Sequence, residues 1–369
     1  MNKVAFLFLG ETLLIPHLWP IAEALAEAAP DLPIDLWVST SIHEEMLSRW
    51  SRAYPSMRLR RAPGYRPLPG LAAGTNPPLP AKIPMLARLA PLLLGTRVAV
   101  CAEQTSLWIP RALSFHPTRF VRTAHGAGSI NARSDPRQRA ATLLFEPSET
   151  ERQAFIRHGV RPERIVVTGY IKASFRHRTP AAHLFPEARP ILLYTPHWQR
   201  HRSSWWEWGR QIVGHLAEQT RFNVILAPHQ RLVERDPGLR EVLAGVSHLP
   251  HIHADLDSFA MVDGSYTAAA DLYLGDTSSQ VVEYMVRPRP CLFLNAQKID
   301  WRATDDHDFW NCGDVIDDLA ALPAALDDAT KRHSHYAALQ QSFAENALGD
   351  TSGKAPAISA KYLISLLSA

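Results

Sequence analysis

The chain is poor in cysteine, in lysine and in long apolar runs. Its 369 residues include three cysteines, Cys101, Cys291 and Cys312, with no CxxC pair among them. That pattern excludes a zinc ribbon or a redox dithiol and suits a reducing compartment. No stretch reaches about 18 uncharged apolar residues, the length of a bilayer span. The nearest, residues 83–100, carries Arg88, Arg97 and two prolines. Only seven of the 39 basic residues are lysine, and 36 acidic residues leave a net charge of +3. That surplus is too small to argue for nucleic-acid binding. Three motifs are missing as well. Gly10-Glu11-Thr12 follows the first apolar run where a dinucleotide fingerprint needs GxGxxG, and neither a P-loop nor GxSxG occurs. The same Gly10-Glu11-Thr12 interrupts the N-terminal apolar run, so residues 4–9 are expected to be a buried strand and not part of a signal peptide.

What is present is a globular composition, 46% hydrophobic and 20% charged. Short apolar runs alternate with longer helical patterns. Strands are expected at 4–9, 34–38, 98–102, 119–123, 142–145 and 165–168, with helices at 17–29, 41–51, 104–113 and 149–158 between them. The polar, Pro/Arg/His-rich stretch that follows has no periodicity. The alternation then restarts, with strands at 191–194, 224–227, 272–274 and 291–294 and helices at 206–219 and 279–286. Repeated βαβ order implies parallel sheets with helices on both faces. The reading is therefore α/β, with a Rossmann-like domain over 1–172, a linker over 173–190 and a second Rossmann-like domain over 191–369, facing a central cleft. Ligands in such sheets bind at the carboxyl ends of strands. Residues 58–84, rich in Pro, Gly and Arg, are expected to form a long irregular insertion serving as a mobile acceptor loop.

Four segments carry the candidate chemistry. In the first, a strand ends at Asp276, and Thr277, Ser278 and Ser279 open a helix. Exposed N–H groups, the positive end of the helix dipole and three hydroxyls make an anion cradle, and Glu283, one turn on, suits ribose hydroxyls. The plainer alternative is that Thr277 and Ser278 only cap the helix. In the second, His125 emerges at a strand end, with Gly126 and Gly128 clearing room for a ligand. A histidine near its ordinary pKa suits a general base acting on a hydroxyl, and a structural histidine in a tight turn is the alternative. In the third, Thr195, His197, Arg200 and Arg202 follow the first strand of the second domain, where the arginines suit phosphate oxygens. In the fourth, His229 ends the next strand. His251 and His253 share period-two spacing but lack a third ligand, so no metal site is read. Trp205, Trp206 and Trp208 are expected to be core or lid packing.

These segments, in this order, resemble the two-Rossmann-domain transferases of the GT-B type, and among them the CDP-glycerol glycerophosphotransferase family of teichoic-acid-type polymer synthesis. The resemblance spans about residues 98–300. It rests on His125-Gly126, Val167-Thr168-Gly169, Leu193-Tyr194-Thr195-Pro196-His197-Trp198, Pro228-His229, Asp276-Thr277-Ser278-Ser279 and Arg287-Pro288-Arg289-Pro290. His197, Gln230 and Thr277 depart from the family's threonine, proline and tyrosine. The resemblance implies an N-terminal acceptor domain and a C-terminal donor domain. It implies His125 as the base, His229 and Arg200 steadying phosphoryl charge, and Thr277, Ser278 and Ser279 on a pyrophosphate. No cofactor or metal is expected, because helix dipole and arginine can neutralise the phosphates. The expected partners are a nucleotide-activated donor (CDP-glycerol or an NDP-sugar) and a lipid-linked or polysaccharide acceptor, with no nucleic acid. The expected location is the cytoplasm, peripheral on the inner face of an anionic membrane, with Arg58, Arg60, Arg61, Arg66 and residues 85–94 toward the leaflet. Similar halves occur in NDP-sugar glycosyltransferases and in non-hydrolysing UDP-N-acetylglucosamine 2-epimerases. A non-catalytic nucleotide-sugar-binding subunit is the remaining alternative.

Overall fold

The computed structural model describes residues 3–126, 135–181, 183–303 and 305–368. The chain forms two compact units. The first comprises residues 1–177 together with 346–369, and the second comprises 178–345.

The sheet of the first unit contains β1 (Val4–Phe8), β2 (Ile34–Thr40), β3 (Met57–Arg66), β4 (Val98–Cys101), β5 (Arg119–Thr123), β6 (Leu143–Glu146) and β7 (Ile165–Val167), in the order β3-β2-β1-β4-β5-β6-β7. The second unit holds β8 (Ile191–Thr195), β9 (Asn223–Leu226), β10 (Ile252–Ala254), β11 (Leu272–Gly275), β12 (Cys291–Leu294) and β13 (Asp314–Ile316), in the order β10-β9-β8-β11-β12-β13. The strand pairings in both sheets are parallel. The central strands β1, β4, β8, β9, β11 and β12 are apolar runs with almost every residue buried, as a sheet covered on both faces requires. Each buried Leu, Val or Phe contributes about 1.5–3 kcal/mol of transfer free energy. In each sheet the strand order reverses beside its first strand, between β1 and β4 and between β8 and β11. These are the topological switch points where such sheets receive ligands.

Three expectations change. Residues 57–66 are not irregular: they form the edge strand β3, in parallel register with β2. Its arginines do not make a free basic loop, since Arg60 pairs with Asp35 at 3.2 Å and Arg61 with Glu44 at 2.9 Å. The helix expected at 206–219 opens as a π-helical turn over Trp205–Gly209 before Arg210–Glu218. There a Cβ on Gly209 would stand 2.4 Å from the Trp205 ring, so the glycine lets the fully buried indole lie against the backbone. Finally, residues 346–369 do not belong to the second unit. Their helix Ala355–Ser368 packs on the helix Ile15–Ala28 of the first. The Tyr170 N–H donates to the Asp350 carbonyl at 2.9 Å. That approach depends on Gly169, at φ +90°, where a Cβ would stand 2.5 Å from the same oxygen.

Under β5 and β6 the guanidinium of Arg122 donates to Glu146 at 2.8 Å, with both side chains 2% exposed. Removing one partner of a buried pair leaves the other charge uncompensated. Glu146→Ala should therefore cost about 3–5 kcal/mol in unfolding free energy, read by urea denaturation. A loss below about 1 kcal/mol, the range of exposed pairs, would contradict that reading.

Candidate functional site

In the first unit, His125 lies two residues beyond β5, half-buried, and its Nδ1 is 2.9 Å from the carbonyl oxygen of Ala102 at the exit of β4. A carbonyl only accepts, so Nδ1 carries the proton and Nε2 keeps its lone pair. Burial, with the nearby Arg122 charge, lowers the His125 pKa to about 4, and not the near-neutral value expected from sequence. Gly126 follows at φ +77°, a left-handed turn that favours glycine. Gly128 lies outside the described residues.

In the second unit the exits of β8, β9 and β11 meet. The rings of His197 and His229 are 5.6 Å apart, edge to face, with Trp198 at 6.2 Å from His229. The Nδ1 of His197 accepts the Gln199 N–H at 3.2 Å, and the Nδ1 of His229 accepts the Arg231 N–H at 3.1 Å. With Nδ1 an acceptor in both, the neutral rings carry their proton on Nε2. Burial, with nearby arginines and the neighbouring imidazoles, lowers His197 to about 4 and His229 to about 3. Asp276 accepts the His197 N–H at 2.8 Å and so ties the β8 exit to the β11 exit. It is 1% exposed, and burial raises its carboxyl to about 7.

The hydroxyl segment behaves unevenly. Ser278 is the N-cap of the helix Ser279–Met285, its Oγ accepting the Gln280 N–H at 3.2 Å, so the capping alternative holds for this residue. The Thr277 hydroxyl is buried with no hydrogen-bond partner among the described residues, and Ser279 is exposed. Glu283 lies half-buried on the same helix. Thr195 is tied up, its hydroxyl donating to Tyr273 at 2.8 Å. Arg200 is exposed, 5.5 Å over the Trp206 ring. The sequence reading missed the roles of Trp198, Arg231 and Arg235: both guanidinium groups stack on that indole, at 5.0 and 4.5 Å. Their i, i+4 spacing after His229 was the available signal. His253 bonds to the Tyr266 hydroxyl at 2.9 Å, and among the described residues no cluster of His, Cys, Asp and Glu suits a metal ion.

Histidines held neutral in the fold make stability pH-dependent. Between about 4 and 6.5 the unfolded chain protonates His125, His197 and His229 while the folded chain does not, so stability rises with pH across that window. Asp276 acts oppositely, because its raised value makes the folded chain hold a proton that the unfolded chain loses. With three imidazoles against one carboxyl, a net rise is expected in urea unfolding, and His229→Gln should flatten it. Equal stability at both ends of the window would overturn the neutral assignment.

No family model and no curated protein matches the chain. Solved structures do. The wall teichoic acid polymerase TagF aligns with a TM-score of 0.66 at 13% identity, over 99% of this chain and 89% of that one. The S. aureus MnaA–UDP co-structure aligns at 0.63 and 17% identity, over 100% and 98%. The UDP-GlcNAc 2-epimerase from Neisseria meningitidis bound to UDP-GlcNAc aligns at 0.59 and 11% identity, over the whole of both chains. At these identities the likeness is one of fold, and the chain has the two-Rossmann-unit, GT-B-type fold that these proteins share.

Proposed function

We propose that the protein is a transferase that uses a nucleotide-activated donor, and that the donor is CDP-glycerol with a glycerophosphoryl group as cargo. The observation that carries this reading is the opposite setting of the imidazoles. His125 offers a lone pair on Nε2, whereas His197 and His229 offer N–H donors. A base of this kind fits proton removal from an acceptor hydroxyl, and paired donors fit charge stabilisation on a phosphoryl group. Fold neighbours solved with UDP and UDP-GlcNAc support a nucleotide donor, and the teichoic acid polymerase among them supports the transferred group.

In the proposed reaction the acceptor hydroxyl attacks the β-phosphorus of CDP-glycerol. Its proton passes to Nε2 of His125, the new P–O bond forms, and the bond to CMP breaks with the electron pair leaving on the CMP phosphate. The Nε2–H groups of His197 and His229 hold the phosphoryl oxygens, with Arg200, Thr277 and Ser279 beside them. Glu283 takes the ribose. The first unit is then the acceptor domain and the second the donor domain.

Turnover assays with CDP-glycerol, NDP-sugars and UDP-GlcNAc, read as nucleotide release or epimerisation, test the donor. Release of CMP from CDP-glycerol is expected, and turnover of UDP-GlcNAc alone would favour the epimerase-like alternative. His125→Asn should lower kcat by about 10²–10⁴-fold, the usual effect of losing a general base, with CMP affinity unchanged. His229→Gln should weaken CMP binding about tenfold, since a hydrogen bond to a charged group contributes about 1.5–3 kcal/mol. Calorimetry showing unchanged CMP affinity in His229→Gln and Glu283→Ala alike would remove the donor site. Because His125 titrates near 4, turnover should hold from pH 7 down to about 5. A fall centred near 6.5 would mean that another group is the base.

A membrane-borne acceptor forms part of this proposal. No helix among the described residues is long and apolar enough to cross a bilayer. The helix Lys82–Leu92, however, leaves Ile83 78% exposed and Arg88 exposed, and Leu92, Leu94 and Phe115 are exposed too. Apolar and basic residues together suit an interfacial contact. The protein should co-sediment with anionic vesicles at low salt, and Ile83→Ser with Phe115→Ser should reduce binding. No sedimentation of the unaltered protein would argue for a soluble acceptor.

A further inference from the structure

The donor half of the proposed reaction leaves one buried acid without a role. Asp276 directly follows β11, and its Oδ2 accepts the backbone N–H of His197, beyond the end of β8, at 2.8 Å. The groups around this carboxyl are buried and uncharged. They are Tyr194 and Ser204, whose hydroxyls lie 3.1 Å apart, and Tyr273, which accepts the Thr195 hydroxyl. Burial keeps both tyrosines neutral. Among the described residues no arginine or lysine forms an ion pair with Asp276. The cations of this region, Arg202 and Arg231, act on the His197 ring instead, as do His201 and the edge-on ring of His229. A buried carboxylate without a cation is uncommon, because burial strips an ion of its hydration. That cost raises the Asp276 carboxyl to about 7.

This acid is one hydrogen bond from His197, which with His229 is set to offer Nε2–H groups to an anion. An anion held there brings a second negative charge into the same water-poor region, and two like charges favour protonation of the weaker acid. We propose that Asp276 is a positioning residue that takes up one proton when an anion binds at His197 and His229, so that the acid holds the His197 loop in place without repelling the ligand. Only the place of the anion rests on the donor-site reading. The proton comes from solvent and goes to Oδ1, and Oδ2 stays an acceptor for the His197 N–H. No other bond forms or breaks.

Isothermal titration calorimetry of the unaltered protein reads this coupling, with CMP and with inorganic sulfate, an anion that does not titrate in this range. In buffers of different ionisation enthalpy at about pH 8, the heats should show uptake approaching one proton per site. At about pH 5.5, where Asp276 already holds its proton, uptake should vanish with sulfate. Sulfate affinity should fall by up to about tenfold per pH unit above 7. Asp276→Asn keeps the shape and an oxygen for the His197 N–H, and should bind with no uptake and a flat affinity from pH 7 to 8. Glu345→Gln, an exposed acid elsewhere on the unit, should change nothing. A purely structural Asp276 would instead lower affinity equally at every pH and leave uptake unaltered. Binding without proton uptake, or uptake unchanged in a folded Asp276→Asn, would overturn the proposal and leave the donor reading standing. Sulfate binding with uptake in a protein that does not turn over CDP-glycerol would do the reverse, and no binding of either anion would remove both. If Asp276→Asn does not fold, carboxyl ¹³C signals of the unaltered protein decide. One aspartate should titrate near 7 and move upward with sulfate, and a set that sulfate leaves unmoved would overturn the proposal.

Discussion

The chemistry available to this protein depends on which backbone group faces Nδ1 of each strand-end histidine. A carbonyl at that nitrogen turns His125 into a ring with a free lone pair, and an N–H turns His197 and His229 into donors. The same side chain thus takes two tautomeric settings. Burial then keeps all three rings neutral near pH 7, which is the state in which the tautomer matters.

The parallel sheets supply those backbone groups. A parallel strand ends with its peptide groups pointing into the following loop, and adjacent strands end close together because they run the same way. Ala102 reaches His125 because β4 and β5 are neighbours in register, with Cys101 opposite Arg122. His197 meets Asp276 because β8 and β11 are neighbours, with Thr195 opposite Gly275. In both units the strand-end histidines follow buried strands. The buried Arg122–Glu146 pair across β5 and β6 adds a charge near His125 without leaving it uncompensated.

Much of the fold was legible from hydrophobic pattern. The helix Ser41–Ser51 and the strands Arg119–Thr123 and Cys291–Leu294 occur with the expected bounds, because the helix buries one face and the strands are short runs buried almost throughout. Strand β3 was not legible. An edge strand buries few side chains, here Met57 and Ala62, and six of the other eight residues of Met57–Arg66 are arginine, proline or glycine, which reads as a loop. The return of residues 346–369 to the first unit was hidden too. It depends on Gly169 meeting the Asp350 carbonyl across some 180 residues of chain, and no local signal marks that contact.

Within the candidate site the same division holds. The sequence by itself determined the settings of His197 and His229, since each Nδ1 accepts an N–H only two residues further along the chain, a contact of the kind that local turn geometry makes. It also determined that Ser278 caps a helix. The setting of His125 was decided by the tertiary structure, because the carbonyl it meets lies 23 residues earlier, on another strand. The contact of His17 with Tyr170 was decided in the same way, by packing of the first helix against the turn after β7. A chain can specify through its own spacing what a residue meets one turn away. What it meets across a sheet follows only from the order in which the strands assemble.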